Sequence, residues 1–284
     1  MKTRIDNALG HALASRLRHT PPGLAAAILD AVFPGGARVR PQLCLAVSEA
    51  CGCDAPLLAD AVASSIELLH CASLVHDDLP CFDDAAVRRG RPSVHRAHGE
   101  TIAVLTGDAL IVMAFELLAD PGTAFPARLG PLLGAVAAAV GASGGLVAGQ
   151  AWESEPDPPR VAYHRAKTAS LFVAATTGGA LAAGADPEPW RALGLRLGEA
   201  YQVADDLLDV HADSTDKPTG QDQARRRPSA VTELGTDGAL ARLRELVEAA
   251  SASVPECRGA ADLKRLVVTV AERLVPRGLR RTAA

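Results

Sequence analysis

Residues 58–90 read LADAVASSIELLHCASLVHDDLPCFDDAAVRRG. Apolar side chains recur at three- and four-residue spacing through 58–76, the pattern of a helix with a buried face. Immediately after it, Asp77, Asp78, Asp83 and Asp84 stand close to Arg88, Arg89 and Arg91, so that four carboxylates and three guanidiniums fall within fifteen residues. On an unbroken helix, residues six apart point about 120° away from each other, and Asp77 and Asp83 could not share a cation. Pro80 supplies a break. It disfavours helical geometry at Leu79 and its ring opposes the preceding turn, which lets the chain fold back and bring the carboxylates together.

The same helical spacing recurs outward along the chain, at roughly 23–33, 40–50, 101–118, 129–141, 161–182, 190–210, 228–250 and 261–275. With 58–76, that is about nine helices. Pro and Gly clusters such as FPGGARVRP, RRGRPS, ADPG, EPDPP and GADPEP fall between them, where they stop helices rather than interrupt them. Strand alternation, a fixed repeat and a long polar linker are all missing from the sequence. The 284 residues are 48% hydrophobic and only 3% aromatic, with Ala-Leu runs that suit close helix packing. The expected fold is therefore all-α: a single domain over 1–284, built as a bundle of long helices.

A net charge of −4 argues against a general nucleic-acid or anionic-membrane surface, so an anionic ligand must meet a local basic cluster. The six cysteines show no paired CxxC spacing and sit among apolar residues, which reads as reduced, structural thiols. Cys71 and Cys81 have no evident base beside them. Trp152 and Trp190 read as packing anchors. The N-terminus, MKTRIDNALGHALASRL, lacks a signal-peptide core, and no uninterrupted run reaches about 18 apolar residues, so a soluble, cytoplasmic protein is expected.

A second acidic stretch, YQVADDLLDV at 201–210, differs from the first. Asp205 and Asp209 are four apart, about 40° round a continuous helix, and share a face with Gln202. Each stretch alone reads equally well as a solvated acidic loop or an exposed helix face. Taken together with the basic groups, they favour a cation site: carboxylates crowded together raise one another's pKa, and a bound cation removes the conflict. Magnesium suits such oxygen donors, with waters and phosphate oxygens completing its shell.

With GGARVRP at 35–41, HCASLVHDDLPCFDDAAVRRGRPSVH at 70–95, GETIAVLTGDAL at 99–110, AGQAWE at 148–153, AKTASLF at 166–172 and YQVADDLLD at 201–209, the chain resembles the trans-isoprenyl diphosphate synthases (polyprenyl synthetases), and most closely the bacterial carotenoid-pathway geranylgeranyl diphosphate synthases. The resemblance implies the isoprenoid synthase fold, antiparallel helices around a deep central cavity, as a homodimer with both aspartate clusters at the cavity mouth. It implies three Mg2+ ions, with Mn2+ as a substitute: Asp77 and Asp83 holding two with Asp78 in support, Asp205 holding the third with Asp206 and Asp209 nearby. Arg88, Lys167 and Lys217 would contact the allylic diphosphate (dimethylallyl, geranyl or farnesyl). Arg38, Arg40, His70 and Arg89 would hold isopentenyl diphosphate, and Thr168 and Gln202 would stabilise the allylic cation.

Each of these residues also has a plainer reading. His70 on an apolar helix is ordinarily a hydrogen-bonded structural histidine, and Gln202 alone a structural amide. The chain departs from the family pattern at Ala37, where many relatives carry a lysine, so one contact to isopentenyl diphosphate is missing. Farnesyl-producing relatives often place an aromatic residue at the position of Ala72; Ala72 and Ser73 are small and imply room for a C20 product, with Met113 or Phe115 able to restore a floor. The competing expectations are a C15 synthase, a weakly catalytic regulatory subunit of a heteromeric synthase, and a terpene cyclase.

Overall fold

The structure, a computed structural model, describes residues 1–33, 35–156, 158–211 and 229–274, without the side chains of Arg160, His211, Glu272, Arg273 and Leu274. Those residues form two compact units. One comprises the described residues up to Val136 with Gly178–Ala185, the other those from Ala137 to Thr177 and from Asp186 onward.

In the first unit, α1 (Lys2–Arg16), α2 (Pro22–Val32), α3 (Val39–Ala50), α4 (Pro56–Asp77), α5 (Val94–His98) and α6 (Glu100–Gly122) follow in chain order. Helix α7 (Pro126–Val140) begins here and ends in the second unit. Prolines start α2, α4 and α7, where the absent N–H is one the helix could not use anyway. Helix α4 is the centre of the packing, lying along α6 and against α3. Val62, Ile66, Leu68 and Leu69 of α4 and Leu110, Ala114 and Leu118 of α6 are all buried. Each large apolar side chain fully removed from water contributes roughly 1.5–3 kcal/mol. Helices α4 and α6 are long and apolar enough to cross a membrane by length and composition, although polar residues interrupt both; 83% of the apolar stretch of α4 is buried in the fold.

The second unit holds α8 (Leu146–Trp152), α9 (Arg160–His164), a π-helical turn (Arg165–Ala169), the first part of α10 (Ser170–Ala182), α11 (Glu188–His211), α12 (Ala230–Ala252) and α13 (Ala260–Leu274). Its core is the seam between α11 and α12, where Ala200, Val203, Ala204 and Leu207 meet Ala230, Ala239, Leu240, Leu243 and Leu246. Ser229 caps α12 by accepting the Thr232 N–H (3.1 Å), and Gly235 breaks that helix at positive φ.

All nine expected helices are present, and the all-α expectation holds. Helix α1 was missed because its apolar residues are sparse among polar ones. Ile5, Leu9 and Leu13, four apart, are its buried face and were the available signal. The 161–182 segment is not one regular helix: a π turn interrupts it. A two-residue hairpin, Val87–Arg88 with Arg91–Pro92, was also missed. Its turn residues Arg89 and Gly90 both have positive φ, the type I′ arrangement that matches the twist of paired strands. All six cysteines are free, as expected. Burial pushes the Cys71 thiol up to about 12 and raises that of Cys44 further, which leaves both unreactive. Trp190 is buried and Trp152 half-buried.

Candidate active site

Helix α4 ends at Asp77, three residues before Pro80, and the chain turns back at once. The Asp83 N–H donates to the Asp77 carbonyl (2.9 Å), the Asp84 N–H to that of Leu79 (3.0 Å) and the Ala85 N–H to that of Asp78 (3.2 Å). These bonds bring the two ends of DDLPCFDD together. Asp84 sits in the left-handed region and accepts from Arg96 (2.9 Å), with His95 Nε2 at 3.6 Å. That pairing fixes the far end of the loop and was not anticipated from the sequence.

Asp77 and Asp78 are both buried. Arg88, placed by the hairpin, donates from Nε and Nη2 to the Asp78 carboxylate. Burial pushes the Asp78 carboxyl above the usual carboxylate range. Arg88 pulls the other way, and the charges of Asp77 and Asp83 add to the rise. A divalent cation would relieve this crowding, so the donor set fits magnesium. Among the described residues no three acidic, histidine or cysteine side chains are grouped so as to hold a metal ion by themselves. An open arrangement is what Mg2+ uses, since it keeps waters and takes substrate oxygens.

The basic side of this unit is organised by two glycines. Arg38, at the start of α3, adopts φ 52°, and its guanidinium lies so close under Gly35 that a methyl group there would sit 1.9 Å from Cζ. The Arg89 guanidinium packs on Gly36 in the same way, a methyl group there being 3.0 Å from Nη2. Arg38 differs from the sequence expectation. Its Nε donates to Asp6 (3.1 Å), Nη1 to Glu67 (2.7 Å) and Nη2 to the Val32 carbonyl (2.8 Å), so all three nitrogens are engaged inside the protein. A fully buried side chain with these partners is a structural cation rather than a diphosphate ligand. Glu67, its partner, escaped the sequence reading because a lone glutamate on an apolar helix carries no motif. His70 faces Arg40, Arg89, Arg88 and Arg38; loss of water around the ring and those four positive charges hold it well below the usual histidine range, hence neutral. Ala72 and Ser73 are both buried on α4.

In the second unit, the π turn carries Lys167 and Thr168. It packs against α8 and α11 through glycines: a methyl group on Gly149 would lie 2.4 Å from the Lys167 Cα, and one on Gly198 2.4 Å from the Ala169 Cα. Lys167 Nζ donates to Glu153 (2.6 Å), which also accepts from the Tyr163 hydroxyl (2.8 Å). Glu153 was visible only as the end of AGQAWE. The Thr168 hydroxyl donates to Gln202 Oε1 (2.6 Å). Along α11, Asp205 is half-buried and Asp209 is 9% exposed. Asp206, expected as a metal ligand beside them, is turned into the protein: its carboxylate accepts from Gln202 Nε2 (2.8 Å) and from the Ala230 N–H (2.7 Å). Lys217 lies outside the described residues.

The chain is 53% identical to the geranylgeranyl diphosphate synthase of Cereibacter sphaeroides over 276 residues, 96% of each protein. It is 50% identical to the geranylgeranyl diphosphate synthase of Rhodobacter capsulatus, over 96% of this chain and 95% of that one. Among solved structures, the Helicobacter pylori geranyltransferase complexed with magnesium and isoprenyl diphosphate matches with a TM-score of 0.78 and 30% identity, covering 95% of this chain and 96% of that one. A sequence model of the polyprenyl synthetases matches residues 22–263. With two aspartate clusters, paired arginines and a helical scaffold of this kind, the chain belongs to the polyprenyl synthetase family.

Proposed function

We propose that this protein condenses isopentenyl diphosphate with allylic diphosphates and releases geranylgeranyl diphosphate. The observation that carries the reading is the near-full-length identity of 53% to a protein named for that product, joined to intact Asp77, Asp83, Asp205 and Asp209. The chain acts as one domain over 1–284, a homodimer in the cytoplasm without stable membrane insertion, and its product feeds carotenoid or related isoprenoid synthesis. Exposed Val104, Leu105 and Val112 on α6 support a self-association surface.

Asp77 and Asp83, with Asp78 in support, would hold two Mg2+ ions, and Asp205 with Asp209 nearby would hold a third, with Mn2+ as a substitute. A divalent ion bound there would supply Lewis-acid stabilisation of the negative charge on the leaving pyrophosphate. Arg88, Lys167 and Lys217 bind the allylic diphosphate; the planar fork of Arg88, free to exchange Asp78 for phosphate oxygens, meets two of them at once. Arg40, Arg89 and neutral His70 hold isopentenyl diphosphate, which must not leave. Thr168, Gln202 and backbone carbonyls near Lys167 present oxygen lone pairs to the developing cation. The isopentenyl double bond attacks that carbon, and a proton is lost to released pyrophosphate. Ala72 and Ser73, small residues one turn and more before Asp77, leave room for the C20 chain, and a bulky side chain on the following helix, Met113 or Phe115, is what could restore a shorter floor.

The test is incubation of purified protein with Mg2+, labelled isopentenyl diphosphate and each allylic starter, followed by product-length analysis. A dominant C15 product would overturn the C20 assignment. Turnover independent of isopentenyl diphosphate would point to a cyclase, and wild-type turnover by Asp77→Ala would overturn the mechanism.

A further inference from the structure

Asp206 belongs to the second aspartate cluster by sequence but not by position. It lies about 100° round α11 from Asp205 and is 2% exposed, against the seam that α11 forms with α12. Its two oxygens serve different partners: Oδ1 accepts from Gln202 Nε2 (2.8 Å) and Oδ2 from the N–H of Ala230, the first residue of α12 (2.7 Å). Gln202 Oε1 in turn accepts the Thr168 hydroxyl (2.6 Å).

The chemistry of this chain gives it a direction. A glutamine side chain is nearly symmetrical in shape, so packing alone does not decide which way its amide points. A carboxylate is acceptor-only, and only the NH2 end can face it. Asp206 therefore turns the Gln202 oxygen toward Thr168. That oxygen accepts the hydrogen bond from the hydroxyl, and Thr168 is left presenting lone pairs rather than its O–H to whatever lies beyond it. Hydrogen bonds in series polarise one another, and a buried charged end strengthens the series.

Resting on the proposed roles of Thr168 and Gln202 at the allylic cation, we propose that Asp206 is a positioning residue rather than a metal ligand: it sets the polarity of the Gln202–Thr168 pair so that oxygen lone pairs face the reacting carbon, and it anchors that pair to the first turn of α12.

The experiment uses the full chain carrying Asp206→Asn. An asparagine that keeps its oxygen on the Ala230 N–H offers Gln202 an NH2 group, which favours the flipped amide. The expected result is a fall in kcat of about tenfold, with both KM values and the half-saturating Mg2+ concentration within about twofold of wild type. In a Gln202→Leu background, Asp206→Asn should lower kcat by less than about twofold further, because its route is already cut. The melting temperature without metal should fall, since the Ala230 N–H loses a charged acceptor; removing one charge from a group of mutually repelling metal ligands would raise it. A tenfold shift in Mg2+ dependence, an undiminished kcat loss in the Gln202→Leu background, or a lowered melting temperature with unchanged kcat would each overturn the proposal. If Asp206→Asn does not fold, Gln202→Leu and Thr168→Val carry the test. Their combined kcat loss should be no more than about twofold beyond the larger single loss, and independent, multiplying losses would overturn the chain. A wild-type protein that makes no prenyl product would instead defeat the functional reading itself.

Discussion

The buried pair of Arg38 and Glu67 permits a sharp test of how the first unit is held together. The Arg38 side chain is 0% exposed and that of Glu67 3%, with 2.7 Å between Nη1 and Oε1. Arg38→Met keeps much of the volume and removes the cation, which leaves Glu67 as a buried carboxylate without its arginine. Breaking such a pair from one side costs about 3–5 kcal/mol. At ~2–4 °C per kcal/mol for large domains, the melting temperature should drop by roughly 6–20 °C. The second substitution decides the matter: Arg38→Met with Glu67→Met buries no charge and should recover more than half of that loss, because replacing both partners by apolar groups of similar size is often close to neutral. Circular dichroism melts of the wild type, both single variants and the double variant form a complete cycle. If the double variant is as unstable as the sum of the singles, the pair is uncoupled, and the account of Arg38 as a structural cation fails. Conversely, if Arg38→Met melts like wild type but loses isopentenyl diphosphate binding, the residue is a ligand after all.

Gly149→Ala would place a methyl group 2.4 Å from the backbone of Lys167, which cannot swing aside as a side chain could. Overpacking of this kind costs about 1–3 kcal/mol, and the displaced π turn should lower kcat by at least about tenfold; wild-type turnover in steady-state assays would refute the close packing. Ala72→Phe should shift the main product from C20 to C15 while total turnover stays within about threefold, as read by chromatography of dephosphorylated products; unchanged C20 would place the floor elsewhere. His70 is held neutral in the folded protein, whereas an unfolded histidine titrates near pH ~6.5. The unfolded state therefore binds more protons as the pH falls, and the stability present above about pH 6.5 is lost progressively below it. His70→Gln should flatten that part of the curve of urea midpoint against pH, and an unaltered slope would show that the ring is protonated or exposed.

Much of this protein was legible from local rules. Helical periodicity located nine of the long helices, and Pro80 located the end of α4, because both depend on neighbours within a few residues. The paired aspartates were legible for the same reason: Asp205 and Asp209 share a face by spacing alone. Non-local partners decided the rest. Arg38 reads as a ligand beside Arg40, yet Asp6 and Glu67, 32 and 29 residues away in sequence, engage it. Asp206 reads as one more aspartate in a cluster, but a backbone N–H 24 residues on and an amide one turn back claim both its oxygens. The π turn at Lys167 and Thr168 gives no periodic signal, since Gly149 and Gly198 create the space for it from other helices. Sequence by itself determined where helices run and which residue types gather near their ends. Which of those charges face a ligand, and which are neutralised by the fold, is a property of tertiary contacts, because a side chain's charge is fixed by its chemistry but its partner by the packing.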